Sequence, residues 1–194
     1  MVLRPTLDYL LRIANEAVNA GNPWLFLNSL GPLHVRWHDT PIETRTLGFL
    51  IFHWLVIFYF RSLGLDRIMR ITPYNTSDFS PGGRFYSIDV NWNSWMGSIS
   101  RSRNINELIR YSAQIERWHN NVHMTLEMST GTPMMDAARN IYYSTFWNLH
   151  FFINNRFENE ANSVRTTFLP WLNTVYQVIQ YIDDRYPPQT IRTI

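Results

Sequence analysis

Six histidines are the residues of this chain best equipped for chemistry, and they fall into two groups. His34, His38 and His53 form the first, and His119, His123 and His150 the second. Each group has the same order, H-x-x-x-H followed by a third histidine further on. In the stretch "WHNNVH", 118–123, a helix would place His119 and His123 one turn apart, so that both imidazoles leave the same face. Three neutral imidazoles converging from neighbouring helices suit copper or zinc. A histidine taken singly is more often a hydrogen-bonded core residue, but here none of the six is left outside a triplet. Other metal chemistries fit poorly. A di-iron carboxylate bundle needs paired Glu-x-x-His motifs, and Glu116 with His119 supplies one and no second. There is no H-E-x-x-H, and no cysteine for a zinc ribbon, an iron–sulfur cluster or a disulfide. Two all-histidine sites point to a dinuclear copper centre that binds oxygen.

The elements that must carry these histidines read as helices. Leu7, Leu10, Leu11, Ala14 and Val18 repeat at helical spacing over 6–20, and Gly21 ends the run. Residues 22–42, with Pro23, Gly31, Pro32 and Pro41, are expected to be loop with short turns. A second helix is expected over 43–63, containing the apolar run "LGFLIFHWLVIFYF" with His53 at its centre. That run of about 14 residues falls short of the roughly 20 that span a bilayer, so a buried helix is expected. Residues 72–103, rich in Asn, Ser, Gly and Pro, read as a long loop that covers something. Asn104 is placed to cap a helix to about Met128, with Glu107 as its capping-box partner. A further helix over 134–158, interrupted near Ser144, carries His150, and a last one is expected over 161–184. The expected fold is an all-α bundle of four to five helices, a single domain over 1–194, with a central dinuclear metal site between facing helices and long loops.

Composition agrees with a buried core: 45% of the 194 residues are hydrophobic, and only 16% are charged. A net charge of +2 with no basic run argues against nucleic acid. No signal peptide or membrane span is evident, so a soluble, cytoplasmic protein is expected. All 17 basic residues are arginine. Base-composition bias or drift accounts for the missing lysines. A protein whose product attacks amines and thiols would also lack both lysine and cysteine.

The residues around the histidines carry a family likeness. "HNNVH" resembles the H-N-x-x-H that opens the second copper motif of tyrosinases and catechol oxidases. "FWNLHFFIN" is similar to the F-W-x-x-H-x-x-I-D that closes it, with His150 on the ligand position and Asn154 in place of aspartate. Phe146 then matches the aromatic that packs against copper-bound imidazoles. "FLIFH" resembles the first-site F-L-P-W-H, with His53 as ligand and Phe49 as its aromatic neighbour. The likeness covers 34–60 and 115–158. It departs at Thr44, where the family has its middle first-site histidine, so His34 and His38 must supply both remaining ligands, spaced more as in arthropod hemocyanins. Trp54 replaces an arginine, Arg61 an acidic residue, and Ser144-Thr145 an Asp-Pro pair, and no cysteine is present to form a thioether.

The resemblance implies two copper ions on the six histidines and molecular oxygen as co-substrate. It implies ortho-hydroxylation of phenols or oxidation of catechols to quinones. The departure at Arg110 leads us to expect oxidation of a small aromatic, a catechol or o-aminophenol, to a quinone-type product, with monophenol hydroxylation slower or absent. Quinones add to amines and thiols, which would account for the missing lysines and cysteines. Asn120 matches an asparagine that helps orient a water for phenol deprotonation. Arg110 stands where the family often keeps a water-holding glutamate, and Glu116, three residues before His119, is the candidate to substitute for it. An oxygen-binding protein, or a degenerate or non-catalytic copper-binding or interaction domain, are the alternatives. The 72–103 loop or a partner subunit, identical or not, is expected to cover the site.

Overall fold

A helix that is apolar all round has to be surrounded by protein or lipid, and the segment Phe49–Ser62, too short to span a bilayer, is such a helix. The computed structural model describes residues 4–40, 49–79, 82–85 and 105–163. In chain order its helices are α1 (Arg4–Asn19), α2 (Trp24–Asp39), α3 (Phe49–Ser62), the single turn α4 (Leu65–Ile68), α5 (Ile105–Thr130) and α6 (Ser144–Ser163). Short 3-10 turns lie at Thr76–Phe79 and Asn140–Tyr142. The fold is an all-α helical bundle, with no strand among the described residues. Helix α3 buries Phe49 to Ile57 without interruption, then Tyr59 and Phe60, and packs against α1, α5 and α6. Its first turn leaves amide donors without intrahelical partners. One of them, Leu50 N–H, donates to the buried Ser112 Oγ of α5 at 3.0 Å. Gly64, at φ 70°, turns the chain out of α3 in the left-handed conformation that glycine adopts without strain.

The loop expected over 22–42 is a helix, α2, for most of its length. Pro32 sits inside it, where proline removes one hydrogen bond and crowds the preceding turn at a cost of about 3 kcal/mol. Phe26, Leu27, Leu30, Leu33, His34 and Trp37 are buried on one face of that helix. Burying each large apolar side chain contributes roughly 1.5–3 kcal/mol, so the packing outweighs the proline. Pro32 itself faces solvent. Gly31 is a point of close approach rather than a break: a Cβ there would stand 3.4 Å from the Ala138 carbonyl oxygen.

The helix expected over 134–158 starts later, at Ser144, after turns over 134–139 and the 3-10 turn Asn140–Tyr142. Helix α6 then runs to Ser163, past the start expected for a separate last helix at 161. The remainder of that last helix, the cap at Asn104, residues 43–48 of the second helix and most of the 72–103 loop lie outside the described residues. The described part of that loop packs inward. Tyr74 N–H donates to the Asn148 carbonyl, and the buried Phe79 lies against Trp118 of α5 and Phe152 of α6. Among the described residues no helix is long and apolar enough to cross a membrane.

Candidate metal centre

Helix α2 carries His34 and His38, α3 His53, α5 His119 and His123, and α6 His150. These four helices bring the six rings together as two triads. In each of them, His34–His38–His53 and His119–His123–His150, the available ligand nitrogens lie within 4.8 Å of one another. The triads face each other, with the His53 and His150 ring centroids 4.7 Å apart and those of His38 and His119 6.3 Å apart. His38 is half-buried and the other five are buried.

The outer nitrogens fix the tautomers. A carbonyl oxygen can only accept, so an Nδ1 facing one must carry the proton, and the neutral ring then has its lone pair on Nε2. His34 Nδ1 donates to the Ala137 carbonyl at 2.9 Å and His53 Nδ1 to that of Phe49 at 2.9 Å. His123 Nδ1 donates to the Met134 carbonyl at 2.7 Å and His150 Nδ1 to that of Phe146 at 2.7 Å. The exception among these contacts is His119, whose Nδ1 meets a side chain, Asn120 Oδ1, at 3.0 Å. Such outer hydrogen bonds orient metal-binding imidazoles and make them better donors.

The inner nitrogens fit a cation. His119 Nε2 and His150 Nε2 are 2.9 Å apart, and His34 Nε2 and His38 Nε2 are 3.0 Å apart. With the protons of His119 and His150 on their outer nitrogens, two lone pairs point into one space. His123 Nε2 is buried without a hydrogen-bond partner. Two imidazole nitrogens bound to one ion at about 2.0–2.1 Å stand about 2.9–3.4 Å apart for angles between about 90° and tetrahedral, so both short pairs suit shared coordination. A proton is a poor alternative cation here. Burial lowers His34 to about 4 and His123 to about 3, in each case against a backbone hydrogen bond that raises it. Burial, reinforced by the neighbouring histidines, holds His119 and His150 well below the usual imidazole value. These four rings are therefore neutral, as metal ligation requires.

Aromatic side chains wall the centre. The Phe146 ring stacks on His150 at 3.8 Å and meets His34 edge-on at 5.3 Å. Phe49 lies 4.4 Å from His53 and 4.6 Å from His119. Each of these two rings thus touches ligands of both triads. Trp37 stacks on Phe52 at 4.5 Å behind His53. On α5, Asn120 is exposed, with its amide oxygen directed at His119, while Glu116 is buried one turn earlier.

Two departures from the family pattern meet at one residue. Trp54 Nε1 donates to Glu158 Oε1 at 3.1 Å, and Asn154 Nδ2 donates to the same oxygen at 2.9 Å. Arg61, the third departure, lies 3.6 Å from Glu158 and donates to Asn155 Oδ1 at 3.0 Å. Together they tie α3 to α6 beside His53 and His150. Asn140 escaped the sequence reading altogether: it is buried, and its amide donates to the Met134 carbonyl that also holds His123. Its only signal in the sequence is a polar residue between "DAAR" and the apolar "IYY".

Comparison with protein-family models, with curated proteins and with solved structures finds no match in any of the three.

Proposed function

We propose that this chain is an oxygen-dependent copper oxidase of small aromatics, catechols or o-aminophenols, which it converts to quinone-type products. One ion is held by His34, His38 and His53, the other by His119, His123 and His150. The observation that carries this reading is the pair of facing all-histidine triads, with the outer nitrogens of five of the six rings held by acceptors. No carboxylate enters either triad, and imidazole-only sites suit copper better than the oxygen-rich sites of magnesium, calcium or manganese. The likeness of "HNNVH" and "FWNLHFFIN" to the second copper motif of tyrosinases favours copper over zinc.

Bound copper would supply one-electron redox chemistry, passing electrons from the aromatic substrate to oxygen. The chain's own residues prepare for it by directing five of the six rings through their outer nitrogens and by keeping His34, His119, His123 and His150 neutral. Phe49 and Phe146 keep water away from the imidazoles, which lowers the local dielectric and tunes the metals. Removing a phenol proton calls for a base; the exposed groups of α5 near His119 supply little, and the candidate Glu116 is buried. Asn120 has its amide oxygen committed to His119, and Arg110 is a cation. A matched acid–base group is worth about 10²–10⁴-fold, so catechols are expected to turn over faster than the corresponding monophenols by a factor in that range.

The test is copper loading of the metal-free protein, followed by oxygen uptake with a catechol and with its monophenol. Two ions per chain are expected, one per triad, with catechol oxidation that depends on both. His150→Ala should lose about one ion and all oxidation, since a three-imidazole site has no spare ligand. Copper binding without turnover of either aromatic would leave an oxygen-binding or non-catalytic copper protein. Retention of both ions by His150→Ala would sink the second-site assignment.

A further inference from the structure

The segment 134–140 touches both triads. Its Met134 carbonyl accepts from His123 of the second triad, and three residues later its Ala137 carbonyl accepts from His34 of the first. Little slack lies between the two carbonyls. The Asp136 carbonyl accepts from Arg139 N–H at 3.0 Å and Asn140 N–H at 2.8 Å, and Asp136 Oδ1 accepts from Ala138 N–H at 3.0 Å. The buried Asn140 closes the loop on itself by donating to the Met134 carbonyl at 3.0 Å. The outer edges are anchored as well. Met135 N–H donates to Glu127 of α5 at 2.7 Å, and the Tyr142 hydroxyl donates to Asn28 of α2 at 2.9 Å. The loop lies against α2 at Gly31.

We propose that 134–140 is a shared clasp coupling the two triads, so that an ion bound at one strengthens binding at the other, with Asn140 as its positioning residue. The proposal rests on the two-ion reading given above. An ion on His123 fixes that ring, the ring fixes the Met134 carbonyl, and the internally bonded loop carries the constraint to Ala137 and His34. The ordering cost met by the first ion is then not met again by the second, which is positive cooperativity. The coupling runs through a turn bonded to both rings, so a side chain that touches neither ligand should influence both ions.

Copper titration of the metal-free protein, with affinities set by a competing chelator, tests this. Wild-type protein is expected to load both ions in one cooperative transition. Asn140→Ala, at the Met134 end, and Asp136→Ala, at the Ala137 end, are each expected to weaken both ions by tenfold or more, the usual size of such outer-contact losses. Asp136 is exposed, so its variant should fold and melt close to wild type even if Asn140→Ala does not. The deciding measurement uses His53→Ala, which leaves the second triad intact. Adding Asp136→Ala to it should still weaken the remaining ion, although the loosened end faces His34. An unchanged affinity there, or two independent wild-type binding steps, overturns the coupling while the two-ion reading stands. Uptake of fewer than two ions by wild-type protein overturns both.

Discussion

His119 is the imidazole of the cluster that is oriented by a side chain on the surface. Its Nδ1 faces the exposed Asn120, whereas His34, His53, His123 and His150 lean on backbone carbonyls that no substitution removes. Asn120→Ala should therefore separate metal binding from folding. Surface substitutions usually change stability by no more than about 0.5 kcal/mol, while loss of an outer hydrogen bond to a ligand costs about 10–100-fold in metal affinity. Chemical denaturation of the metal-free variant and copper competition on the same sample check the two halves. An unchanged copper affinity would mean that Phe49 and the neighbouring rings alone hold His119 in place.

Helix α2 is held by its packing rather than by its sequence propensity. Pro32 costs about 3 kcal/mol inside a helix, and the buried face from Phe26 to Trp37 more than offsets it. Pro32→Ala restores an amide that can donate to the Asn28 carbonyl, while freeing the unfolded chain by about 0.4–1 kcal/mol. The net expectation is a gain of about 2 kcal/mol, visible as a higher melting temperature, with copper binding unchanged. A loss of stability would show that the proline ring, which borders a cavity of about 410 Å³ with Asn28, Gly31, Arg36, Asp39 and Tyr142, packs there in a way an alanine cannot. Helix α3 is the opposite case. Nearly every side chain is buried, so its composition left no alternative to an interior position.

For the molecule as a whole, four deeply buried imidazoles, His34, His119, His123 and His150, make stability depend on pH. His34 and His123 are held at about 4 and about 3, and His119 and His150 well below the usual value, in each case chiefly by burial. In the unfolded chain each titrates near about 6.5. Above that pH neither state is protonated and the histidines cost nothing. As pH falls below it, the unfolded chain takes up protons that the native state refuses, so stability falls. Each of these four can add a slope of up to about 1.4 kcal/mol per pH unit, ending near pH 4 for His34 and near pH 3 for His123. The urea midpoint of the metal-free protein should drop steadily from pH 7.5 to pH 5. A flat midpoint over that interval would show that the rings are open to water. Copper should sharpen the acid loss, since protons compete with the ion for the same nitrogens.

The histidine grouping, the helical class and the buried character of α3 were legible in the sequence, because they depend on residue type and on periodicities no longer than a helical turn or two. The spacing of Phe26, Leu27, Leu30, Leu33 and Trp37 carried a helical signal too. The punctuation at Pro23, Gly31 and Pro32 obscured it, since local rules weigh a proline without the burial on the other face. The rest lay beyond the reach of sequence. Ala137 and Met134 act through carbonyls that every residue possesses, and the His34–Ala137 bond joins positions 103 residues apart. Trp54, Asn154 and Arg61 look like unrelated lapses from a motif until α3 and α6 bring all three to Glu158. Side-chain identity and spacing determined which groups could ligate. Only packing supplied the acceptors of His34 and His123, because Ala137 and Met134 become their neighbours when the chain closes, whereas His53, His150 and His119 take theirs from their own helices.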